Sequence, residues 1–163
     1  MWEQFLNEKM LTYDTLEGVL TRWRLKDRSI VFTNGCFDIL HLGHIDYLMR
    51  AADLGNQLIV GINSDASVRR LKGEHRPIND ENSRKRIIAS LFFVSAVVVF
   101  EEDTPFELIK KVQPDILVKG GDYTPDNVVG ADFVKDRGGD VKILDFVEGY
   151  STTDIEKRIR EQE

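Results

Sequence analysis

Cysteine, histidine and proline are scarce in this chain. Its 163 residues include one cysteine, three histidines and four prolines. The single cysteine, Cys36, cannot form an internal disulfide, which permits a reducing compartment. Long hydrophobic runs are also missing. The longest apolar stretches, such as SAVVVF at 95–100, have the length of a strand and fall far below the ~20 residues that cross a bilayer. We therefore expect no membrane partner.

An excess of positive charge is also missing. Twenty-two Lys and Arg residues stand against 28 Asp and Glu residues, which gives a net charge of −6. This balance argues against a broad nucleic-acid-binding surface but allows a local basic pocket for phosphates. The first ten residues, MWEQFLNEKM, contain acidic residues and do not resemble a signal peptide. We expect a cytoplasmic protein that binds no nucleic acid.

The chain alternates short apolar runs with amphipathic stretches. This order predicts an α/β fold with helices on both faces of a mostly parallel, five-stranded sheet. The predicted strands are 30–32, 58–62, 96–100, 116–118 and 141–144. The apolar spacing in 2–24 predicts one or two helices. We therefore expect one compact domain, with 1–27 as an N-terminal helical extension of a main domain at 28–163.

Two histidines follow the first predicted strand, in the segment TNGCFDILHLGH at 33–44. His41 and His44 flank Gly43 at the start of a helix, where backbone N–H groups attract phosphate and imidazoles can donate hydrogen bonds to it. Two alternatives remain open. The histidines are either ordinary helix residues or zinc ligands, although His75 is the only other histidine available to such a site.

Three consecutive hydroxyl side chains, Ser151, Thr152 and Thr153, begin the last predicted helix. They suit phosphate oxygens at a helix N-terminus. A capping box formed by Ser151 and Asp154 explains the same pattern. The two interpretations are compatible because capping and phosphate binding use different N–H groups.

Basic and glycine-containing clusters follow other predicted strands. Lys72, Arg76 and Arg84 lie after the second strand, where they are either phosphate ligands or part of a solvated helix face. The segment VKGGDY at 118–123 allows a base or sugar to lie against glycine backbone, or forms a plain tight turn. No G-x-G-x-x-G follows the first strand, so a redox Rossmann enzyme has no support.

Together these clusters resemble the cytidylyltransferase-like superfamily, which the H-x-G-H motif marks. The similarity covers about 30–159 and is greatest to the adenylyltransferase branch of ADP-heptose synthesis. It rests on FTNGCFDILHLGH, GINSDASVRRLKGEHRPIN, FEEDTP, DILVKGGDY and STTDI. The resemblance implies a Rossmann-like nucleotidyltransferase fold and an enzyme that joins ATP to D-glycero-β-D-manno-heptose 1-phosphate. It further implies Mg²⁺ with ATP, a homodimer, and a separate upstream sugar kinase, since this chain looks like the transferase alone.

The resemblance also assigns residues. His41, His44 and Lys72 match phosphate-contacting catalytic residues. No residue is assigned as a metal ligand, and which carboxylate, if any, contacts Mg²⁺ stays open. The residues expected to bind the nucleotide are Thr33, Asn34, Gly35, Phe37, Gly43, Lys119, Gly120, Ser151, Thr152 and Thr153. The residues expected to bind the sugar phosphate are Asp38, Arg76, Arg84 and Asp122.

One segment departs from related enzymes. Cytidylyltransferases for glycerol 3-phosphate and choline phosphate carry R-T-x-G before the hydroxyl run, and this chain has FVEG at 146–149. Because that arginine helps to hold CTP, its absence argues against those enzymes. The alternatives are the same chemistry with CTP and a small polyol phosphate, or a non-catalytic nucleotide-binding domain.

Overall fold

Six parallel strands form one sheet in the computed structural model, which describes residues 1–121, 123–147 and 149–161. The strands are β1 (Met10–Leu11), β2 (Ile30–Gly35), β3 (Gln57–Asn63), β4 (Ala96–Phe100), β5 (Ile116–Gly120) and β6 (Asp140–Leu144). The helices are α1 (Trp2–Lys9), α2 (Tyr13–Arg24), α3 (Leu42–Ala52), α4 (Asp65–Lys72), α5 (Glu81–Ser90), α6 (Phe106–Val112), α7 (Ala131–Asp136) and α8 (Thr152–Arg160), with a 3₁₀ turn at Pro125–Asn127. None of these helices is long and apolar enough to cross a bilayer.

The strand order β1-β4-β3-β2-β5-β6 places a topological switch point beside β2. From β2 the chain moves outward through β3 to β4, and it then returns to the other side of β2 to form β5 and β6. Ligands of open α/β sheets bind at the carboxyl ends of the strands at such a point. The topology therefore identifies the loop after β2 as the place to look for a site.

The structure has one strand more than the five predicted. β1 contains only Met10 and Leu11, which pair in parallel with Val97 and Val98 of β4. Two residues are too few to show the alternation or the apolar run of a strand. They lie between two helices whose apolar spacing continues through them, so the sequence pattern predicted helix alone.

The N-terminal segment is also held by a buried lysine. Lys9 is 8% exposed, and its Nζ donates to the carbonyls of Ala89 (3.1 Å) and Leu91 (3.0 Å) at the end of α5. A cation is favourable there because the last carbonyls of a helix carry partial negative charge. Strand pairing and this cap attach residues 1–27 to the sheet that carries the rest of the chain.

Apolar side chains cover both faces of the sheet, as predicted. Along β2, Ile30 and Phe32 point to one face and Val31 to the other, as the period of two requires. The first face packs against α2, α6 and α7 through Leu16, Leu20, Leu108, Ile109, Val112, Ala131 and Val134. The second packs against α3 and α5 through Tyr47, Leu48, Ala51, Ile88 and Ala89.

A fully buried arginine ties the strand ends to α5. Arg84 is 0% exposed. Its Nη1 donates to the carbonyls of Cys36 and Asn63, both at 2.8 Å, just beyond β2 and at the end of β3. Its Nε donates to the Asn79 carbonyl at 2.9 Å, and its Nη2 pairs with Asp65 at 2.8 Å. A buried charge is tolerated only when it is paired and hydrogen-bonded, and these four acceptors meet that requirement.

We expect Arg84→Met to lower the free energy of unfolding by about 3 kcal/mol or more, because it leaves a carboxylate and three carbonyls without their donor. Urea denaturation at pH 7 measures this change. The matched control is Arg86→Met, since Arg86 lies on the same helix with its side chain 55% exposed. Equal stability of the two variants would contradict a structural role for Arg84.

Candidate active site

A cavity of about 570 Å³ opens at the carboxyl ends of β2, β3 and β5, where the strand order switches. This volume lies within the range of small-molecule sites. Nine residues predicted from the sequence line it: Asn34, Gly35, Phe37, Asp38, His44, Lys72, Lys119, Gly120 and Thr152. Tertiary folding therefore brings four separate segments of the chain to one site.

The two motif histidines stack on each other at the start of α3. Their ring centroids are 3.8 Å apart at an interplanar angle of 23°, and the Phe37 ring meets His44 edge-on at 5.2 Å. The Nδ1 atoms of both His41 and His44 are buried without a hydrogen-bond partner. His44 lines the cavity, and His41 stacks on it without lining the cavity. Buried polar atoms are usually paired, so two unpaired ring nitrogens beside the cavity indicate a place for a polar ligand.

The pocket keeps His44 neutral at pH 7. Burial lowers the pKa of His44 to about 4, and the neighbouring charges of His41 and Lys72 act in the same direction. The Ile39 backbone acts in the opposite direction and raises the pKa of His44, although the His44 Nδ1 atom does not reach the geometry of a full hydrogen bond. Burial also lowers the pKa of His41. Each neutral imidazole has one N–H to donate.

Two lysines supply positive charge to the cavity. Lys72 ends α4 with its side chain exposed, and Lys119 is half-buried near the end of β5 with its ammonium 5.4 Å from the Tyr123 ring centroid. Burial lowers the pKa of Lys119. Neither lysine has an ion-pair partner in the part of the chain that the structure describes. Their charge is therefore available to an anionic ligand in a protein that is acidic overall.

Helices α3 and α8 begin close together beside these groups. A Cβ atom at Gly43 would lie 3.1 Å from the His41 ring and 3.2 Å from Cβ of Tyr150, which precedes α8. Only glycine allows this approach without displacing one of them. Two helix N-termini, each with unpaired N–H groups, thus converge on one region, which favours an anion.

The three consecutive hydroxyl residues at the start of α8 have different surroundings. Ser151 is the N-cap of α8: its Oγ accepts from the Asp154 amide at 3.0 Å and donates to the Asp154 carboxylate at 2.8 Å. Thr152 lines the cavity, and Thr153 is exposed. The predicted cap is confirmed, and one residue of the three lines the cavity.

The predicted sugar-phosphate ligands bond mainly to the protein itself. Asp38, with its side chain 1% exposed, accepts from the amides of Ile78 (2.9 Å) and Asn79 (2.8 Å) and from Nη1 of Arg76 (2.6 Å). Burial alone would raise the pKa of Asp38, but these donors lower it. Arg84 is engaged in the strand-end contacts described above. Arg76 and Arg84 do not line the cavity.

Several other predicted ligands are also placed elsewhere. The Thr33 hydroxyl is buried in a 2.6 Å hydrogen bond with the Tyr47 hydroxyl. The Phe146 ring lies over Gly120, which ends β5, and over Gly121, which follows it: a Cβ on Gly120 would be 2.6 Å from the ring and a Cβ on Gly121 2.7 Å. That ring covers the backbone against which a base or sugar was expected to lie. Asp122 lies outside the described residues.

The sequence patterns missed part of the cavity wall. Residues that line it without having been predicted are Cys36, Tyr47, Asn63, Leu71, Asp103, Thr104, Pro105, Leu117, Tyr123, Asn127, Val128, Val129 and Phe146. Asn63 could have been found, because it ends β3 at the same sheet edge where Asn34 nears the end of β2. In the sequence, the apolar residues of the cavity wall cannot be distinguished from residues of the hydrophobic core.

The cavity offers few ligands for a metal ion. No group of three or more His, Cys, Asp or Glu side chains that could hold one occurs within the described residues. Asp103 lines the cavity but bonds Arg70 at 2.7 Å, and the Asp38 carboxylate is fully engaged. This donor set fits an ion held mainly by substrate phosphates and water, which is how Mg²⁺ is often bound.

We expect stability to fall by about 1 kcal/mol between pH 7 and pH 5 because of His44, allowing for solvent screening of its half-buried ring. The folded pKa of about 4 is below the ordinary 6.5, so the stabilisation is complete above 6.5 and is lost towards 4. Urea denaturation across this range should show a smaller fall in His44→Gln. The control His75→Gln, at an exposed position, should follow the unaltered protein. Identical pH profiles for His44→Gln and the unaltered protein would contradict the burial argument.

Curated proteins are similar in sequence to this chain over nearly the whole of its length. The protein named bifunctional protein HldE from Wolinella succinogenes is 53% identical over 153 residues, which cover 94% of this chain and 31% of that protein. The protein of the same name from a Nitratiruptor species is 54% identical over 158 residues, or 97% of this chain and 32% of the relative. The chain thus spans about a third of the length of these curated relatives.

A solved structure agrees with the fold. The lipopolysaccharide core biosynthesis protein from Thermoplasma volcanium superposes with a TM-score of 0.59 at 35% identity, covering 76% of this chain and 99% of that one. The family model described as cytidylyltransferase-like matches residues 32–158, a range that begins within β2 and ends within α8. With the histidine pair, both helix N-termini and the switch-point cavity inside that match, this chain belongs to the cytidylyltransferase-like family.

Proposed function

We propose that the chain is a nucleotidyltransferase that transfers AMP from ATP to a sugar 1-phosphate and releases pyrophosphate. The acceptor in this proposal is D-glycero-D-manno-heptose 1-phosphate, and the product is ADP-heptose for the lipopolysaccharide core or a related surface glycan. The motifs shared with the heptose branch support the acceptor. The similarity to a lipopolysaccharide core biosynthesis protein agrees with it.

The observation that carries the proposal is the stacked histidine pair. Two buried, unpaired imidazole nitrogens lie where α3 and α8 begin, and His44 and Lys72 line the same cavity. Neutral N–H donors, helix N-termini and a lysine together suit several phosphate oxygens at once. A nucleoside triphosphate and a sugar phosphate both present such oxygens.

The remaining cavity wall suits a nucleobase. Leu71, Pro105, Val128 and Val129 provide apolar surface, and Asn127 offers an amide group that can pair with a base edge. The Asn63 amide instead bonds within the protein, to Ser67 and Cys36. Phe146 stands where cytidylyltransferases carry their CTP-binding arginine, which favours ATP in this proposal.

The proposed reaction is an in-line displacement. An oxygen of the sugar phosphate attacks the α-phosphorus of ATP, the new P–O bond forms, and the bond to pyrophosphate breaks. His41 and His44 donate hydrogen bonds to the α-phosphate oxygens as negative charge grows on them, and Lys72 pairs with the leaving phosphates. No covalent enzyme intermediate is needed. A bound Mg²⁺ would supply further neutralisation of the phosphate oxygens.

The proposal also covers the source of the sugar phosphate, the location, the oligomeric state and the domain bounds. A sugar 1-phosphate arises by phosphoryl transfer to a sugar, so the proposal includes an upstream sugar kinase that is separate from this domain. It also includes a cytoplasmic location and a homodimer. Residues 28–163 form the proposed transferase domain, and residues 1–27 form its helical extension.

The direct test is pyrophosphate release with each of the four nucleoside triphosphates, with and without heptose 1-phosphate, in the presence of Mg²⁺. We expect release only when both ATP and the heptose phosphate are present. Release with CTP and glycerol 3-phosphate would retain the chemistry and refute the proposed substrates. ATP binding without release from any pair would indicate a non-catalytic binding domain and refute the enzyme.

We expect His44→Ala to reduce kcat by about 100- to 1,000-fold, because one transition-state donor is lost. Steady-state kinetics with ATP and the acceptor, alongside a thermal unfolding scan, measures this effect and checks folding. His75→Ala is the matched control, since that histidine is exposed in the loop after α4 and does not line the cavity. A folded His44→Ala enzyme with the control's rate would remove His44 from the mechanism.

A further inference from the structure

Helix α8 has little apolar contact to hold it in place. None of its residues from Thr152 to Arg160 is buried. Its two isoleucines are only half-buried (Ile155) or 59% exposed (Ile159), so the hydrophobic effect contributes little to its docking. In the proposed reaction, however, the start of this helix has to meet phosphate oxygens accurately. Polar contacts must therefore supply the positioning.

One arginine connects α8 to the histidine segment. Arg76, with its side chain 17% exposed, donates from Nη1 to Asp38 at 2.6 Å, and its Nη2 forms an ion pair with Glu156 of α8. The planar guanidinium presents donors in a fixed fork and can hold two carboxylates at once, which a lysine cannot do in the same geometry. The Glu156 side chain is 24% exposed, so water screens this pair less than it screens a surface pair.

The Asp38 end of this bridge is fixed. Two backbone amides, those of Ile78 and Asn79, hold the carboxylate of Asp38, and the amide side chain of Asn79 donates back to the Asp38 carbonyl at 2.5 Å. Asp38 lies three residues before His41 in the chain. A shift of Arg76 relative to the histidine turn would therefore break several hydrogen bonds.

A second contact fixes the other end of α8. Tyr150, just before the helix, approaches Gly43 between the two histidines. Glu156 lies four residues beyond Thr152, or about 6 Å along the helix axis at ~1.5 Å per residue. Two points of attachment, at Tyr150 before the helix and at Glu156 within it, define the direction of α8 as well as its position.

We propose that Arg76 and Glu156 are positioning residues that latch α8 onto the histidine segment and so align the two phosphate-binding helix starts. The inference rests on the proposed function for its catalytic consequence, while the docking itself is independent of the substrate. Arg76 thereby gains a role different from the sugar-phosphate contact predicted from the sequence.

Glu156→Gln is the sharpest test, because it removes the ion pair between Arg76 and Glu156 and leaves Arg76 paired with Asp38. We expect amide hydrogen exchange in α8 of the nucleotide-free protein to become about tenfold faster, and the KM for ATP to rise about tenfold with kcat within about twofold. Glu156→Asp, which keeps the charge, should recover part of both effects. A merely structural role would lower stability without this separation of KM from kcat.

The matched control is Glu161→Gln. Glu161 follows the same helix and pairs with Lys157 at 3.7 Å, with both side chains mostly exposed. We expect exchange and kinetics in this variant to match the unaltered protein. If Glu156→Gln behaves like this control in exchange, the latch is refuted. If exchange accelerates and the KM for ATP stays unchanged, the positioning role is refuted. Absence of pyrophosphate release from the unaltered protein would refute the proposed function, and hydrogen exchange would still decide the latch.

Discussion

The cost of burying charge organises the carboxyl edge of this sheet. Arg84 and Asp38 lose nearly all contact with water, so each must be surrounded by partners of opposite polarity. The partners are the side chains of Asp65 and Arg76, together with backbone groups of the loop after β2, the end of β3 and the turn before α5. Meeting that requirement fixes three loops relative to one another. The histidine turn begins directly beyond Asp38, so its position follows from the same contacts.

The fixed loops create a local electrostatic environment that differs from the molecule as a whole. The chain carries a net charge of −6, yet two unpaired imidazoles, two lysines and the starts of two helices lie in or beside the cavity. Asp38, three residues before His41, is neutralised by Arg76. An anion therefore meets donors and positive charge there, and the surrounding negative surface does not prevent binding because water and salt screen it at distance.

Much of the fold could be predicted because burial leaves a pattern in the sequence. Five strands were predicted from apolar runs, and 96–100 has the predicted bounds, because strands covered on both faces are continuously apolar. β1 was missed because two residues cannot show a pattern. Among the candidate ligands, His44, Lys72 and Thr152 line the cavity, whereas Thr33, Arg76 and Arg84 bond within the protein. The same residue types serve both purposes, so spacing alone could not separate them.

The sequence by itself determined the α/β architecture, the edge of the sheet that carries the site and the family of the chain. These properties depend on local periodicity and on short motifs whose residues are neighbours in the chain. Only the tertiary structure decided which charged groups face the cavity and which are neutralised inside the protein. Arg76 and Glu156 are 80 residues apart in the numbering, and Arg84 and Cys36 are 48 apart. Contacts over such separations are set by how the whole chain packs, and no local pattern encodes them.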